Sequence, residues 1–217
     1  MTDYKNHITY SINSAQQDKS KITRDILNLE GMSGSRTRHL YNNLCSMADC
    51  RYLEIGTWKG STVCAAMYGN NATVTCVDNW SEFNGPKNEF LNNFYKFKGS
   101  NNANFIENDC FKIDVSSLPK YNIYLYDGDH SELSHYRALT YYINCLDDTF
   151  IYLCDDYNWK QVRDGTQSAI KDLGLNVLFE TQIRTTYDDT HPPHGSALQK
   201  LWHNGIYISV LQKIKKF

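Results

Sequence analysis

RYLEIGTWKGSTVCAAMYGNNATVTCVDNW, residues Arg51–Trp80, decides how the chain folds. It opens on a short apolar run, turns through two glycines, continues as a helical stretch over Ser61–Tyr68 and closes on a second apolar run, Ala72–Asp78. Gly56 and Gly60 let the backbone turn tightly and come close to a ligand, and Ser61 and Thr62 can begin the helix that follows. Strand, glycine turn, helix and strand in succession is the repeating unit of a parallel sheet.

The same alternation continues downstream. Strand-like runs recur as ANFIEN (103–108), YNIYLYD (121–127), TFIYLCD (149–155), NVLFETQI (176–183) and GIYISVL (205–211). Helical stretches fall between them at Asn88–Phe97, Ser131–Leu146 and Gln161–Leu173. In the second of these, Leu133, Tyr136, Leu139, Ile143 and Leu146 share one face at helical spacing. The last two runs are joined by RTTYDDTHPPHGSALQKLWHNG, which lacks a crossover helix of convincing length and suits an antiparallel final pair. The expected fold is therefore α/β: a Rossmann-like, seven-stranded, mostly parallel sheet with an antiparallel last strand and helices on both faces.

Upstream, GMSGSRTRHLYNNLCSMA offers Ser33 and Ser35 as caps for a helix carrying Leu40, Leu44 and Met47. Residues 1–24 are polar and without clear period and read as an arm, leaving residues 25–217 as a single domain. With 217 residues the chain suffices for one well-buried core. Hydrophobic content of 41% with 21% charged residues excludes global disorder, and a net charge of -2 gives no general attraction to nucleic acid or anionic membrane. Seven scattered cysteines, several in apolar runs, read as free thiols in a reducing compartment, and Cys45 and Cys50 are spaced too widely for a zinc pair. With no signal-like or spanning apolar stretch, the expected location is the cytoplasm. Lys213, Lys215 and Lys216 read as a solvated tail, and an aromatic-rich surface with a free arm is compatible with a homodimer.

Carboxylates end four of these apolar runs, which is the place in an open α/β sheet where ligands bind. Asp78 follows the first glycine turn at about the 20-residue offset from which a carboxylate reaches both hydroxyls of a ribose. Asp109 ends the third run, where an acid can accept a proton from the adenine amino group. The turn itself reads G-x-x-x-G and lacks the G-x-G-x-x-G of a dinucleotide loop, which argues against a nicotinamide-dependent oxidoreductase.

Together these residues resemble the class I S-adenosylmethionine-dependent methyltransferases, from about Gly31 to the C-terminus and most strongly over Leu53–Trp159. The resemblance implies S-adenosylmethionine as cofactor, with Glu54 near the methionine amino group and Gly56, Thr57, Gly60 and Ser61 beside the cofactor backbone. It implies Asp78 on the ribose with Asn79 and Trp80 beside the adenosine, Asp109 and Cys110 at the adenine edge, and Ser33 against the methionine carboxylate. DGDHS and CDDY are similar to a narrower branch, the O-methyltransferases of macrolide and aminocoumarin sugars. In that branch acids at these places hold a divalent ion, which makes Asp127 a residue shared by cofactor and metal sites, and Asp155 and Asp156 its partners. An all-oxygen set suits Mg²⁺.

The implied reaction is transfer of a methyl group to a hydroxyl of a sugar, glycan or other small metabolite, with Asp129 or His130 taking the proton. A metal-independent transferase and a non-catalytic cofactor-binding protein are the alternatives. Asp155 and Asp156 can also be read as capping the next helix. His135 is expected to face substrate or solvent, and His191 and His194, held by two prolines, a substrate-facing lid. Trp58, Trp80, Tyr157 and Trp159 are placed at the mouth, ready to stack on a ring.

Overall fold

The computed structural model describes residues 3–214. Three helices precede the sheet: α1 (Tyr4–Gln16), α2 (Arg24–Leu27) and α3 (Ser35–Leu44). The alternation then runs β1 (Arg51–Ile55), α4 (Ser61–Met67), β2 (Thr73–Asp78), α5 (Lys87–Phe97), β3 (Asn102–Glu107), β4 (Tyr121–Tyr126) and α6 (Glu132–Tyr142). It ends β5 (Leu146–Asp155), α7 (Lys160–Asp172), β6 (Asn176–Ile183), α8 (Ala197–Trp202) and β7 (Ile206–Gln212). These strands make one sheet of order β3-β2-β1-β4-β5-β7-β6. The β1, β2, β3, β4 and β5 pairings are parallel, and β7 runs antiparallel to both β5 and β6. The expected Rossmann-like architecture, including the antiparallel last strand, is the one observed.

Period-two alternation along the strands sends neighbouring residues to opposite faces and builds two cores. Tyr52, Val74, Ile123, Ile151 and Ile208 pack with Ile8, Leu40, Val63 and Phe90 on one side. Leu53, Ile55, Tyr124, Tyr152 and Leu211 pack with Leu139, Tyr142, Val162 and Ile170 on the other. No described helix is long and apolar enough to cross a membrane.

Three expectations are corrected here. Within the expected arm of residues 1–24, the described residues 3–24 are not free: Asp3 caps α1, whose Ile8, Ser11 and Ala15 are buried, and the His7 Nε2 ring nitrogen lies 2.9 Å from the Leu44 carbonyl. So few apolar positions, diluted by polar ones, hide a helix whose stability comes from packing on its neighbour. In α6 the buried face is His135, Ala138, Leu139 and Tyr142, while Leu133 is 64% exposed. Lys213 is not solvated tail: its Nζ donates to the Leu146 carbonyl at 2.6 Å; Lys215 and Lys216 lie outside the described residues.

Candidate functional site

The order of the sheet reverses between β1 and β4, and their carboxyl ends meet there. Asp127 N donates to Ile55 O and Gly56 N to Val77 O, both at 2.9 Å. A Cβ on Gly56 would lie 1.8 Å from the Asp127 carbonyl oxygen, and its φ is +85°, so only glycine fits this seam. Asp78, at the end of β2, closes the turn from outside: its Oδ2 accepts from Thr57 N (2.8 Å) and Trp58 N (2.7 Å), and its Oδ1 from Trp80 N (2.7 Å). Three of roughly four lone-pair positions on this carboxylate are therefore taken by backbone amides.

A cavity of about 750 Å³ opens over these strand ends. That is within the usual range for a ligand pocket. On the β1–β3 side it is lined by Met32, Gly56, Trp58, Asp78, Asn79, Trp80, Phe83, Asp109, Cys110 and Phe111. Backbone donation from Phe111 at 2.9 Å holds the Asp109 carboxyl below its usual range, and burial pushes the Cys110 thiol up to about 11. Five lining residues other than glycine, Trp58, Trp80, Phe83, Asp156 and His203, have φ between +45° and +55°. Left-handed backbone at bulky residues costs on the order of 1–3 kcal/mol each and clusters at functional sites.

Ser33, Glu54, Thr57, Gly60 and Ser61, expected at the cofactor, do not line this cavity. Glu54 is fully buried on the α4 face of β1, accepting from Tyr52 OH (2.6 Å) and Thr62 Oγ1 (2.7 Å). Burial raises its carboxyl to about 7. In this arrangement it ties α4 to β1. Ser33 and Ser61 meet each other, their hydroxyl oxygens 3.0 Å apart, next to the turn.

The β4–β5 side is lined by Asp127, Asp129, His130, Asp156 and Trp159. Donor atoms of Asp127, His130 and Asp156 all lie within 4.8 Å of one another, with His130 Nε2 3.1 Å from Asp156 Oδ2. Asp155, expected as a ligand, is outside this group: it is 2% exposed, and its Oδ1 accepts from Asp156 N at 3.0 Å. Two carboxylates and one imidazole are a donor set that a divalent cation accepts, and the nitrogen suits Mn²⁺, Fe²⁺ or Zn²⁺ better than Mg²⁺. Burial, then Asp155 and Asp156, push the Asp127 carboxyl well above its usual range; Asp155 is raised likewise by burial and Asp156. Neither acid of the pair caps α7, whose first turn follows Trp159 without a side-chain cap. Asp129 accepts from Ser131 N (3.1 Å) and Ser131 Oγ (2.5 Å), which lowers its carboxyl and makes it a weak base.

The β6–β7 connection roofs this side with His191, His194, Gln199 and His203. His191 and His194 thus face the cavity as the lid reading expects, whereas His203, Gln199, Met32, Phe83 and Phe111 carry no local sequence signal for it. His135 faces neither substrate nor solvent: it is fully buried, 3.3 Å from Cys154 Sγ, and burial lowers its imidazole to about 3. Tyr157 is also inside, 4% exposed and stacked on Tyr207 at 4.7 Å, away from the mouth.

Residues 53–157 match a family model described as a methyltransferase domain. The fold is that of the class I S-adenosylmethionine-dependent methyltransferases, and solved structures agree with it. Cofactor-bound Rv0187 from MTB aligns at a TM-score of 0.60 with 12% identity, over 94% of this chain and 90% of that one. SAH-bound methyltransferase PaMTH1 from Podospora anserina aligns at 0.59 with 11% identity, over 99% and 89%. TrmN from Thermus thermophilus aligns at 0.57 with 13% identity over 88% of this chain, which spans only 52% of that protein. No curated protein sequence matches this chain.

Proposed function

We propose that the protein transfers the methyl group of S-adenosylmethionine to a hydroxyl oxygen of a small metabolite, sugar or glycan, assisted by a divalent cation. The observation that carries the reading is one cavity in which Asp78, ending β2, and Asp109, just after β3, lie on one side and Asp127, His130 and Asp156 converge on the other. Methyl transfer from a sulfonium is an in-line displacement, so the protein must align the acceptor oxygen with the methyl carbon and accept its proton. Asp78, Asp109 and the aromatic wall of Trp80 and Phe111 would hold the adenosine end. Asp127, Asp156 and His130 would hold the cation, which when bound makes an alcohol proton easier to lose. Trp58 and Trp159 border the remaining space and offer flat faces to a ring.

A metal-free version is favoured by one contact: with Asp156 Oδ2 at 3.1 Å to orient it, His130 can itself take the hydroxyl proton. Transfer of labelled methyl groups to a panel of sugars and small alcohols, before and after EDTA and on readdition of Mg²⁺ or Mn²⁺, tests both. Loss on chelation with restoration by a cation supports the assisted mechanism. Transfer indifferent to chelation supports the His130–Asp156 pair, and binding of S-adenosylhomocysteine with no transfer to any acceptor supports a non-catalytic protein.

A further inference from the structure

Asn158 lies in the turn between β5 and α7, after Asp156 and immediately before Trp159, and is fully buried. It does not line the cavity; its carboxamide faces the β6–β7 connection instead. Oδ1 accepts from Thr185 N at 3.0 Å, and because a backbone amide can only donate, that contact fixes which way the carboxamide is turned. Nδ2 then directs its hydrogens to Thr185 Oγ1 (2.7 Å) and Asn204 Oδ1 (3.0 Å), with the Thr190 carbonyl oxygen 3.4 Å away. The backbone adds to these: Asn158 N donates to Asn204 O at 3.0 Å, and Asn158 O accepts from Arg184 Nη2 at 3.2 Å. A Cβ on Gly205 would lie 2.7 Å from Asn158 Oδ1, so the connection reaches the carboxamide only because residue 205 has no side chain.

Each residue that the carboxamide reaches adjoins a histidine of the roof or is bonded to one. Asn204 follows His203, Thr190 precedes His191, and Thr185 Oγ1 donates to the His203 carbonyl at 3.1 Å. His203 keeps φ at +51°, which a bulky residue holds only under restraint from its surroundings. Its ring meets that of His191 edge-on at 4.9 Å; His191 is 6.3 Å from the Trp159 ring, itself 5.2 Å from His130. Burial lowers the His203 imidazole and the charge of Asp156 opposes this, so the ring stands within electrostatic reach of the acids at the end of β5. With both polar atoms of its side chain bonded, Asn158 holds one arrangement of the roof rather than several. Arg163 and Arg184 also pair with Asp189, at 2.6 and 3.5 Å, so the connection keeps an anchor when the carboxamide is removed.

We infer that Asn158 is a positioning residue for the acceptor side: it touches no reactant, and it sets where His203 and His191 stand as those two imidazoles receive the acceptor. Thr185 relays the carboxamide to the His203 backbone. The acceptor role rests on the methyltransferase reading above, while the placement of the rings does not.

The test has two readouts on the full chain. The first is the set of imidazole nitrogen signals in a long-range proton–nitrogen spectrum of the protein without ligand. Asn158→Ala should move the signals of His191 and His203 and leave those of His7 and His39, on α1 and α3, where they are in wild type. The second is methyl transfer at saturating S-adenosylmethionine to the best acceptor of the panel above. Asn158→Ala should lower kcat/KM for that acceptor about 100-fold, the scale of a misplaced positioning group, and leave S-adenosylhomocysteine affinity within about threefold. Thr185→Val should reproduce the loss and Thr185→Ser, which keeps the hydroxyl, should recover most of it; this pair carries the comparison if Asn158→Ala fails to fold. Unmoved His191 and His203 signals overturn the positioning, and so does cofactor affinity that falls in step with transfer, which would make Asn158 a structural clamp only. Moved signals with unchanged kcat/KM overturn the acceptor role. Wild type that transfers to no acceptor refutes the methyltransferase reading itself, and the ring signals, read with no acceptor present, still decide the placement.

Discussion

The two sides of the cavity are built on opposite principles. On the β1–β3 side each carboxylate is already satisfied: Asp78 by the amides of Thr57, Trp58 and Trp80, Asp109 by Phe111. On the β4–β5 side Asp127 is pushed toward the neutral form by burial, then by Asp155 and Asp156, and Asp155 by burial and Asp156; Asp155 Oδ2 has no partner, and neither does His130 Nδ1. A carboxylate fixed by backbone amides gives a rigid, prearranged surface. Crowded, buried acids either take a proton and become neutral or keep their charge when a cation sits beside them.

The largest effect expected from this contrast is at Asp156. Asp156→Ala should reduce methyl transfer about 1,000-fold while leaving S-adenosylhomocysteine affinity within about threefold. Steady-state rates with parallel titration check it, and an equal fall in cofactor affinity would erase the division between the sides. Gly56→Ala strikes the seam between them, because its Cβ meets the Asp127 carbonyl at 1.8 Å. Urea unfolding should show a loss of about 3 kcal/mol.

Glu54, beneath the satisfied side, gives a pH signature of intermediate size. Its carboxyl is raised from 4.5 to about 7, so between those values the unfolded chain ionises while the folded one still holds the proton. Its contribution is complete below pH 4.5 and is lost as pH rises to 7, by about 2–3 kcal/mol. Glu54→Gln should flatten that part of the stability profile, measured by urea midpoints across the range; an unchanged slope would place the titration elsewhere. Asp78→Asn replaces one carboxylate oxygen by an amide that cannot accept, and cofactor affinity should fall about tenfold, roughly 1.4 kcal/mol, with transfer at saturating cofactor nearly intact. Loss of turnover at saturation would show that the prearranged side also shapes the reaction.

Most of the fold was legible because each strand is a short apolar run bounded by polar turn residues, and each crossover helix carries its own spacing. The acids at strand ends were legible for the same reason: position in the run fixes position in the sheet. Which acid of the Asp155–Asp156 pair faces the cavity was not. Successive residues of an extended chain point to opposite sides, and the turn to φ +55° at Asp156 sends its side chain outward while Asp155 goes under. His130 joins Asp127 and Asp156 through the course of the turn after β4, which no spacing rule encodes. The phase of α6 was misread because leucines mark an apolar face more loudly than His135, which is buried 3.3 Å from Cys154 Sγ. His203 and Gln199 reach the cavity by the return of a long connection, a tertiary event with no local signature.

Three of the four tryptophans, Trp58, Trp80 and Trp159, line the cavity. Intrinsic emission is therefore dominated by indoles at the ligand's own doorstep, and unlabelled protein carries an optical gauge of occupancy. Because Trp58 and Trp80 lie on the β1–β3 side and Trp159 on the β4–β5 side, single-tryptophan versions should report occupancy of the two sides separately.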